Sequence, residues 1–305
     1  MSGKPLDQLL KQTDPGGCHV VDVPARIWVF GGPFESSGRL KSLRDSFWRQ
    51  TLVRSSPHWL TDLERPEDYP GWLEHSGYSD LLEFERDACY LARAVIIFSE
   101  SPGAHAELGA LALDAALLPR LIAVIQHKYS QGDADNSFLA LGPLRRVREC
   151  GCLCVIGDDD LRISEHDFTD ILDAVMEWLP ASHKRERLDR NNTCHLLLII
   201  ADLVDLMLLS SEPDLIAALS HFGFELEMLQ LRKYLSLLKF LKLINLHQAG
   251  SIRYWVRYGS ARGPWVDYTA GAGQQNFERS RFKLKAQEII EKNARLKSIY
   301  ERGRN

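Results

Sequence analysis

Glu107 is the residue of this chain best placed to do chemistry. In the segment Arg93 to Leu113, RAVIIFSESPGAHAELGALAL, an apolar run from Ala94 to Phe98 stops at Ser99-Glu100-Ser101-Pro102-Gly103. A helix pattern opens there, with Glu107 and Gly109 in its first turns. A buried strand that runs into a tight loop and a helix holds such a side chain at the carboxyl end of the strand. Open α/β sheets bind their ligands there, beside helix N-termini. A carboxylate so placed can stabilise a cation at a reacting carbon or trap it covalently. It can equally do no more than complement the helix dipole.

A second junction of this kind lies at Arg26 to Glu35, RIWVFGGPFE, where Ile27 to Phe30 is stopped by Gly31-Gly32-Pro33. Two residues without Cβ let the backbone approach a ligand closely, although a plain strand-to-turn stop reads the same way. Neither a dinucleotide fingerprint nor a P-loop is present. Glu85 is a second carboxylate, one helix ahead of the Ala94 strand. It either holds a hydroxyl or orients a water, or it faces solvent. His105 is read as a general acid or as an ordinary loop side chain, and Arg145 with Arg146 as a pyrophosphate grip or as a solvated helix face. Cys150, Cys152 and Cys154 alternate in ECGCLCVIG, which reads as one face of a half-buried, reduced strand. Their spacing is not that of a zinc site, and no metal is expected.

The elements that position these residues alternate. Strands are expected at Ile27–Phe30, Ala94–Phe98, Leu121–Ile125 and Cys152–Ile156, with helices around 38–55, 79–92, 102–118 and 168–179. A long loop-rich stretch from Pro57 to Tyr78 carries Trp59, Tyr69 and Trp72, as a binding loop or as a self-packed one. Further on, Thr193 to Leu209, a segment from Glu212 and Glu225 to Leu243 read as three helices. A hairpin around Gln248-Ala249-Gly250-Ser251 follows them, which is the winged-helix order. The fold class expected is α/β, a Rossmann-like parallel sheet with helices on both faces, followed by a mostly α winged-helix-like domain. The divisions are an N-terminal arm at 1–24, the α/β domain at 25–180, a linker at 181–192, the winged-helix-like domain at 193–270 and a basic C-terminal helix at 271–305.

With 305 residues, 45% apolar and 26% charged, the chain has the composition of a two-domain soluble protein. It shows neither a membrane-spanning run nor a signal-peptide core, so a cytoplasmic location is expected. The net charge of −4 conceals an asymmetry. Residues 1–182 hold 17 Lys+Arg against 28 Asp+Glu, and residues 183–305 hold 20 against 13. The second half is therefore a candidate for a polyanionic partner. The helix at Glu225 to Leu243 is rich in leucine and looks more like a packed core helix than a reader of bases.

Taken together, the Gly31-Gly32-Pro33-Phe34 strand end and the Ser101-Pro102-Gly103-x-x-x-Glu107-Leu108-Gly109 segment resemble the nucleoside 2-deoxyribosyltransferase-like superfamily. Leu81 to Glu85, Leu121 to Gln126 and Leu141 to Arg146 match in the same order. The closer resemblance is to effector proteins of bacterial retrons, which pair such a domain with a C-terminal winged helix. The resemblance covers residues 25 to 155 well and the rest in layout. It implies cleavage of an N-glycosidic bond, with Glu107 catalytic and Glu85 as its second carboxylate. Substrate contacts would come from Gly31, Gly32, Pro33, Ser101, Pro102, Gly103 and Arg145. It further implies an anti-phage toxin that hydrolyses a nucleotide, with NAD as substrate rather than cofactor. Activity would be held back in a complex with the retron reverse transcriptase and its msDNA/msrRNA, with no role for a membrane. A homo-oligomer or filament is left open. The alternatives are a nucleotide-sensing DNA-binding regulator, a non-catalytic adaptor of the retron complex, and a nucleoside deoxyribosyltransferase.

Overall fold

Three short apolar runs, Ile27–Phe30, Ala94–Phe98 and Leu121–Gln126, become the middle of the first unit because each is apolar on both faces, a pattern that parallel strands covered by helices require. The computed structural model describes residues 4–35, 38–130, 136–181, 185–259, 261, 263–273 and 276–303. In chain order the elements begin with α1 (Pro5–Gln12), β1 (Thr13–Val20), β2 (Ile27–Phe30), α2 (Leu43–Leu52), β3 (Leu63–Glu64), α3 (Leu81–Tyr90) and β4 (Ala94–Phe98). They continue with α4 (Pro102–Ala112), β5 (Leu121–Gln126), α5 (Arg145–Cys150), β6 (Cys152–Ile156), α6 (Glu165–Ala181), β7 (Glu186–Arg187) and α7 (Thr193–Met207). The last are β8 (Ser210–Ser211), α8 (Glu212–His221), α9 (Met228–Phe240), β9 (Ile244–Ala249), β10 (Ile252–Arg257), β11 (Val266–Ala270), α10 (Arg279–Glu291) and α11 (Ala294–Gly303).

The chain divides into two compact units, one of residues 25–72 and 80–183, the other of 1–24, 73–79 and 184–305. The first is an α/β layer structure on a five-stranded sheet of order β3-β2-β4-β5-β6. Every pairing in it is parallel. On one face Ile27, Val29, Ile96 and Phe98 pack with Leu43 and Phe47 of α2 and Phe168 and Ile171 of α6. The Phe47 ring lies 5.2 Å from Phe98 and 5.4 Å from Phe168. On the other face Trp28 meets Trp72 at 5.0 Å, and Trp72 meets Phe84 of α3 at 4.8 Å. Trp28 also donates its indole N–H to Ala88 O at 3.1 Å, which pins α3 to the sheet.

Two local readings change. The helix after the Ser-Pro-Gly loop ends at Ala112 rather than near Leu118. Asp114 stops it, because its carboxylate accepts from the N–H groups of Ala116 and Leu117 and competes with helical pairing. The three alternating cysteines do not share one strand. Cys150 closes α5, whereas Cys152 and Cys154 lie half-buried in edge strand β6 against the α6-side cluster.

The second unit uses residues that sequence alone leaves as an arm and a linker. β1 pairs antiparallel with β11, Thr13 opposite Ala270 and Val20 opposite Val266. On its other side His19 and Val20 pair with Arg187 and Glu186 of β7. The arm therefore becomes the central strand of a three-stranded sheet, β11-β1-β7. The cause is unpaired backbone that finds its ladder partners far away in the chain. Of the expected linker, residues 182–184 lie outside the described residues, as do 131–135 of the polar stretch before α5. A second antiparallel sheet, β8-β10-β9, follows helices α7, α8 and α9. α9 buries Leu231, Tyr234, Leu235, Leu237 and Leu238, so it is a core helix on that side.

The C-terminal basic helix also differs from expectation. α7 is buried nearly throughout yet carries Asp202 and Asp205. Such carboxylates persist in an apolar setting only when paired. Arg279 of α10 donates to Asp202 and Asp205, each at 2.8 Å, and Lys283 donates to Asp205 at 2.7 Å. These bonds hold Asp205 below the ordinary carboxylate range against the opposing effect of burial. Arg279 and Lys283 are thus internal ion-pair partners, while Arg281 and Lys292 are exposed. Among the described residues no helix is long and apolar enough to cross a membrane, and no three His, Cys, Asp or Glu side chains are grouped to hold a metal.

Candidate active site

The candidate site sits at the carboxyl ends of β2 and β4. β4 ends at Phe98, and Ser101 caps the next helix by accepting from Ala104 N–H at 3.3 Å, with Pro102 in its first turn. Ser and Pro at those positions are why the chain turns from strand to helix here. Glu107 lies one and a half turns into α4. Its carboxyl is half-buried, and Oε2 is sealed from solvent with no hydrogen-bond partner among the described residues. Burial raises its pKa first, the Arg44 guanidinium opposes this, and the Glu67 carboxylate adds to the rise.

Glu85 comes to the same place from α3. It is 8% exposed, not solvent-facing, and its Oε1 accepts from Trp72 Nε1–H at 3.0 Å. Burial pushes it up to about 7, the Trp72 hydrogen bond pulls the other way, and the charge of Glu107 raises it further. Cys89 is fully buried and feels both carboxylates, which together with burial keeps its thiol protonated. α3 and α4 thus deliver two mutually repelling carboxyls into one covered region. One of them titrates near neutrality, a condition suited to proton transfer.

The Gly-Gly loop is used differently from the sequence expectation. A Cβ on Gly31 would come within 2.9 Å of Phe98 Cβ and 3.1 Å of both Arg44 Cβ and Glu100 Oε1. A Cβ on Gly32 would meet Ser42 Cβ at 2.7 Å. The close approach these glycines permit is to the protein itself. The Glu100 carboxylate accepts from the N–H groups of Gly32 at 2.9 Å, Arg44 at 3.2 Å and Leu43, so it caps α2 and ties the two strand ends together. Pro33 continues the loop and accepts from Ser42 Oγ at 2.8 Å. Ser101 is half-exposed, Pro102 and Gly103 are exposed, and a Cβ at Gly103 would meet open space.

Arg145 is 68% exposed and pairs with Glu149 along its own helix at 3.1 Å, and among the described residues no hydrogen bond or ion pair links it to Glu107. Arg146 donates to Ala112 O at 2.8 Å. His105 points its Nδ1 at Ser99 Oγ, 2.7 Å away, and packs edge-on to Tyr129. Burial lowers its pKa, which disfavours the imidazolium a general acid would need.

Arg44 and Glu100 are the residues that sequence reasoning missed. The Arg44 side chain is 3% exposed and forks onto Glu67 through Nη1 at 3.1 Å and Nη2 at 2.5 Å. Its Nη1 also reaches Val29 O at 3.3 Å, and its Nε is buried without a partner among the described residues. The available signal was spacing: Arg44 shares the buried arc of α2 with Phe47, Trp48 and Thr51. A charged residue on such an arc must find a counter-charge, here the half-exposed Glu67.

A sequence model of STM3845 retron effector proteins matches residues 40–246, about two thirds of the chain. This protein belongs to the STM3845 retron effector family. One curated relative, the "Retron Ec86 putative ribosyltransferase/DNA-binding protein" of Escherichia coli, is 29% identical over 132 residues. That match covers 43% of this chain and 40% of the relative's length.

Proposed function

We propose that this retron effector is an N-glycosidase whose first unit hydrolyses NAD to nicotinamide and ADP-ribose. The observation that carries the reading is the Glu107 carboxylate. It stands at the carboxyl edge of a parallel sheet with one oxygen unpaired, beside a second carboxyl that titrates near neutral pH. The C1′–N bond breaks with its electron pair going to the pyridinium nitrogen, which releases neutral nicotinamide. Glu107 stabilises the positive charge that develops on C1′ and the ring oxygen. Water adds to C1′, and its proton passes to Glu85. The Ser101 hydroxyl and the N–H groups of Ser101 and Gly103 supply contacts to ribose or phosphate, while Gly31, Gly32 and Pro33 shape the other strand end through Glu100 and Ser42. Arg145 is left as an outer contact at most.

The relative's name supports glycosyl transfer as the class of chemistry and DNA as a partner of that protein. In this chain, three helices followed by the β9–β10 hairpin support a winged-helix domain in the second unit. We place the retron reverse transcriptase and its msDNA/msrRNA there, as the assembly that restrains activity in the anti-phage setting. A nucleoside deoxyribosyltransferase would transfer the sugar to a base rather than to water. A regulator or an adaptor would leave NAD intact.

The deciding experiment mixes purified full-length protein with NAD and follows nicotinamide and ADP-ribose by chromatography, for wild type and Glu107→Gln. Release of both products by wild type alone supports the proposal. NAD left intact by wild type, both alone and after the retron complex is triggered, refutes it.

A further inference from the structure

The second unit contains a concavity of about 240 Å³ lined by the Pro15-Gly16-Gly17 turn, by Arg187 to Asn191 and by Phe222. Arg187, Arg190 and Asn191 bring side-chain N–H donors to it. None of these three side chains has a hydrogen bond or ion pair among the described residues. Asp189 is the one carboxylate in this lining, and its Oδ1 already accepts from Asn191 N–H at 2.9 Å. Asp14, at the base of the glycine turn, likewise accepts from Gly16 N–H at 2.8 Å.

The backbone is shaped around this space. The pairing of β1 shifts register between Asp14 and His19, and Gly17 within the shift has φ +95°. Opposite, the Arg190 guanidinium lies against Gly223, where φ is +81° and an added Cβ would come within 2.5 Å of Arg190 Cζ. The positive φ favours glycine, and the guanidinium occupies the space its missing side chain leaves. Two guanidiniums with one carboxylate between them form a donor-rich, acceptor-poor surface, and planar guanidiniums match phosphate oxygens two at a time. The volume falls below the ~300–1,000 Å³ of pockets that enclose a whole drug-sized ligand, so a small charged group is the better fit.

We propose that this concavity binds a phosphate group through Arg187 and Arg190. The group comes either from a polynucleotide backbone or from a free pyrophosphate-bearing compound. The site owes nothing to Glu107 and lies on neither α9 nor the β9–β10 hairpin.

The test uses the full-length protein, a fluorescent dT12 oligonucleotide read by anisotropy, and inorganic pyrophosphate as competitor. The proteins are wild type, Arg187→Gln/Arg190→Gln and Glu107→Gln. If the phosphate belongs to a polynucleotide, the double variant weakens dT12 binding about tenfold near 0.1 M salt. The log–log salt slope then falls by roughly 1.4, about 0.7 for each of two lost contacts to a single strand. If it belongs to a free compound, dT12 binding is unchanged, whereas pyrophosphate binding by calorimetry is lost in the double variant. Glu107→Gln behaves as wild type in both arms, so failure of the glycosidase reading leaves this result intact. Equal binding of both probes by wild type and the double variant overturns the site, and so does no binding of either probe by wild type. Both arginines are exposed, so the variants should melt as wild type does; Arg190→Gln alone is read if the pair does not fold.

Discussion

Replacing Glu85 with glutamine should stabilise this protein, and only at neutral and alkaline pH. In the folded chain Glu85 titrates at about 7 against an ordinary 4.5, chiefly because it is buried. Between those values the folded state holds a proton that the unfolded state has released. Stability therefore falls as pH rises, by about 1.4 kcal/mol per pH unit, and the loss is complete above pH 7. The interval amounts to about 3 kcal/mol. The substituted amide keeps an oxygen to accept from Trp72 Nε1–H but has no charge to bury. Urea unfolding followed by tryptophan fluorescence should show Glu85→Gln gaining about 3 kcal/mol at pH 8 and under about 1 kcal/mol at pH 5. A gain of equal size at both pH values, or a loss at pH 8, would refute the argument that burial and Glu107 hold this proton. If the first unit hydrolyses NAD as proposed, the rate should rise through pH 7 as Glu85 ionises, and the variant should lose this limb.

Glu107→Gln should leave the fold intact and lower turnover by at least about 10²-fold, the cost of one preorganised charge at the reacting centre; near-normal turnover by a folded variant would remove Glu107 from catalysis. Arg279→Ala should destabilise by about 3–5 kcal/mol in urea unfolding, because it takes the cation from buried Asp202 and leaves Asp205 to Lys283 and Arg257, whereas Arg281→Glu with Lys292→Glu should leave stability within about 0.5 kcal/mol. If the second unit contacts nucleic acid, the latter pair should also reduce co-purifying nucleic acid, read from absorbance at 260 nm. Glu100→Ala removes the acceptor of three backbone N–H groups and should cost roughly 2–4 kcal/mol. Hydrogen exchange should rise at Gly32, Leu43 and Arg44, and unchanged exchange there would show that the carboxylate is not what holds the loop.

What sequence alone determined is the local part of the structure. β2, β4 and β5 are legible because each is a short apolar run, and such a run needs cover on both faces wherever it lies; β6 is legible from its alternation, as a half-buried edge strand. Glu107 is legible for the same local reason: Ser101 and Pro102 start a helix at the end of a strand, and a residue five positions on must stand above that end. Tertiary structure decided everything that depends on a partner distant in sequence. Glu85 belongs to the site because Trp72 and α4 cover that face of α3, and periodicity cannot say which carboxylate on a helix will be covered. The glycines at 31 and 32 read as ligand contacts because nothing nearby in sequence shows that the Glu100 carboxylate fills the space beside them. Residues 1–24 look like an arm until Thr13 meets Ala270. Arg279 and Lys283 look like solvated charges until α7 places Asp202 and Asp205 beneath them. Charge and hydrogen bonding act through space, so a chain position reveals them only when the partner lies within a turn or two.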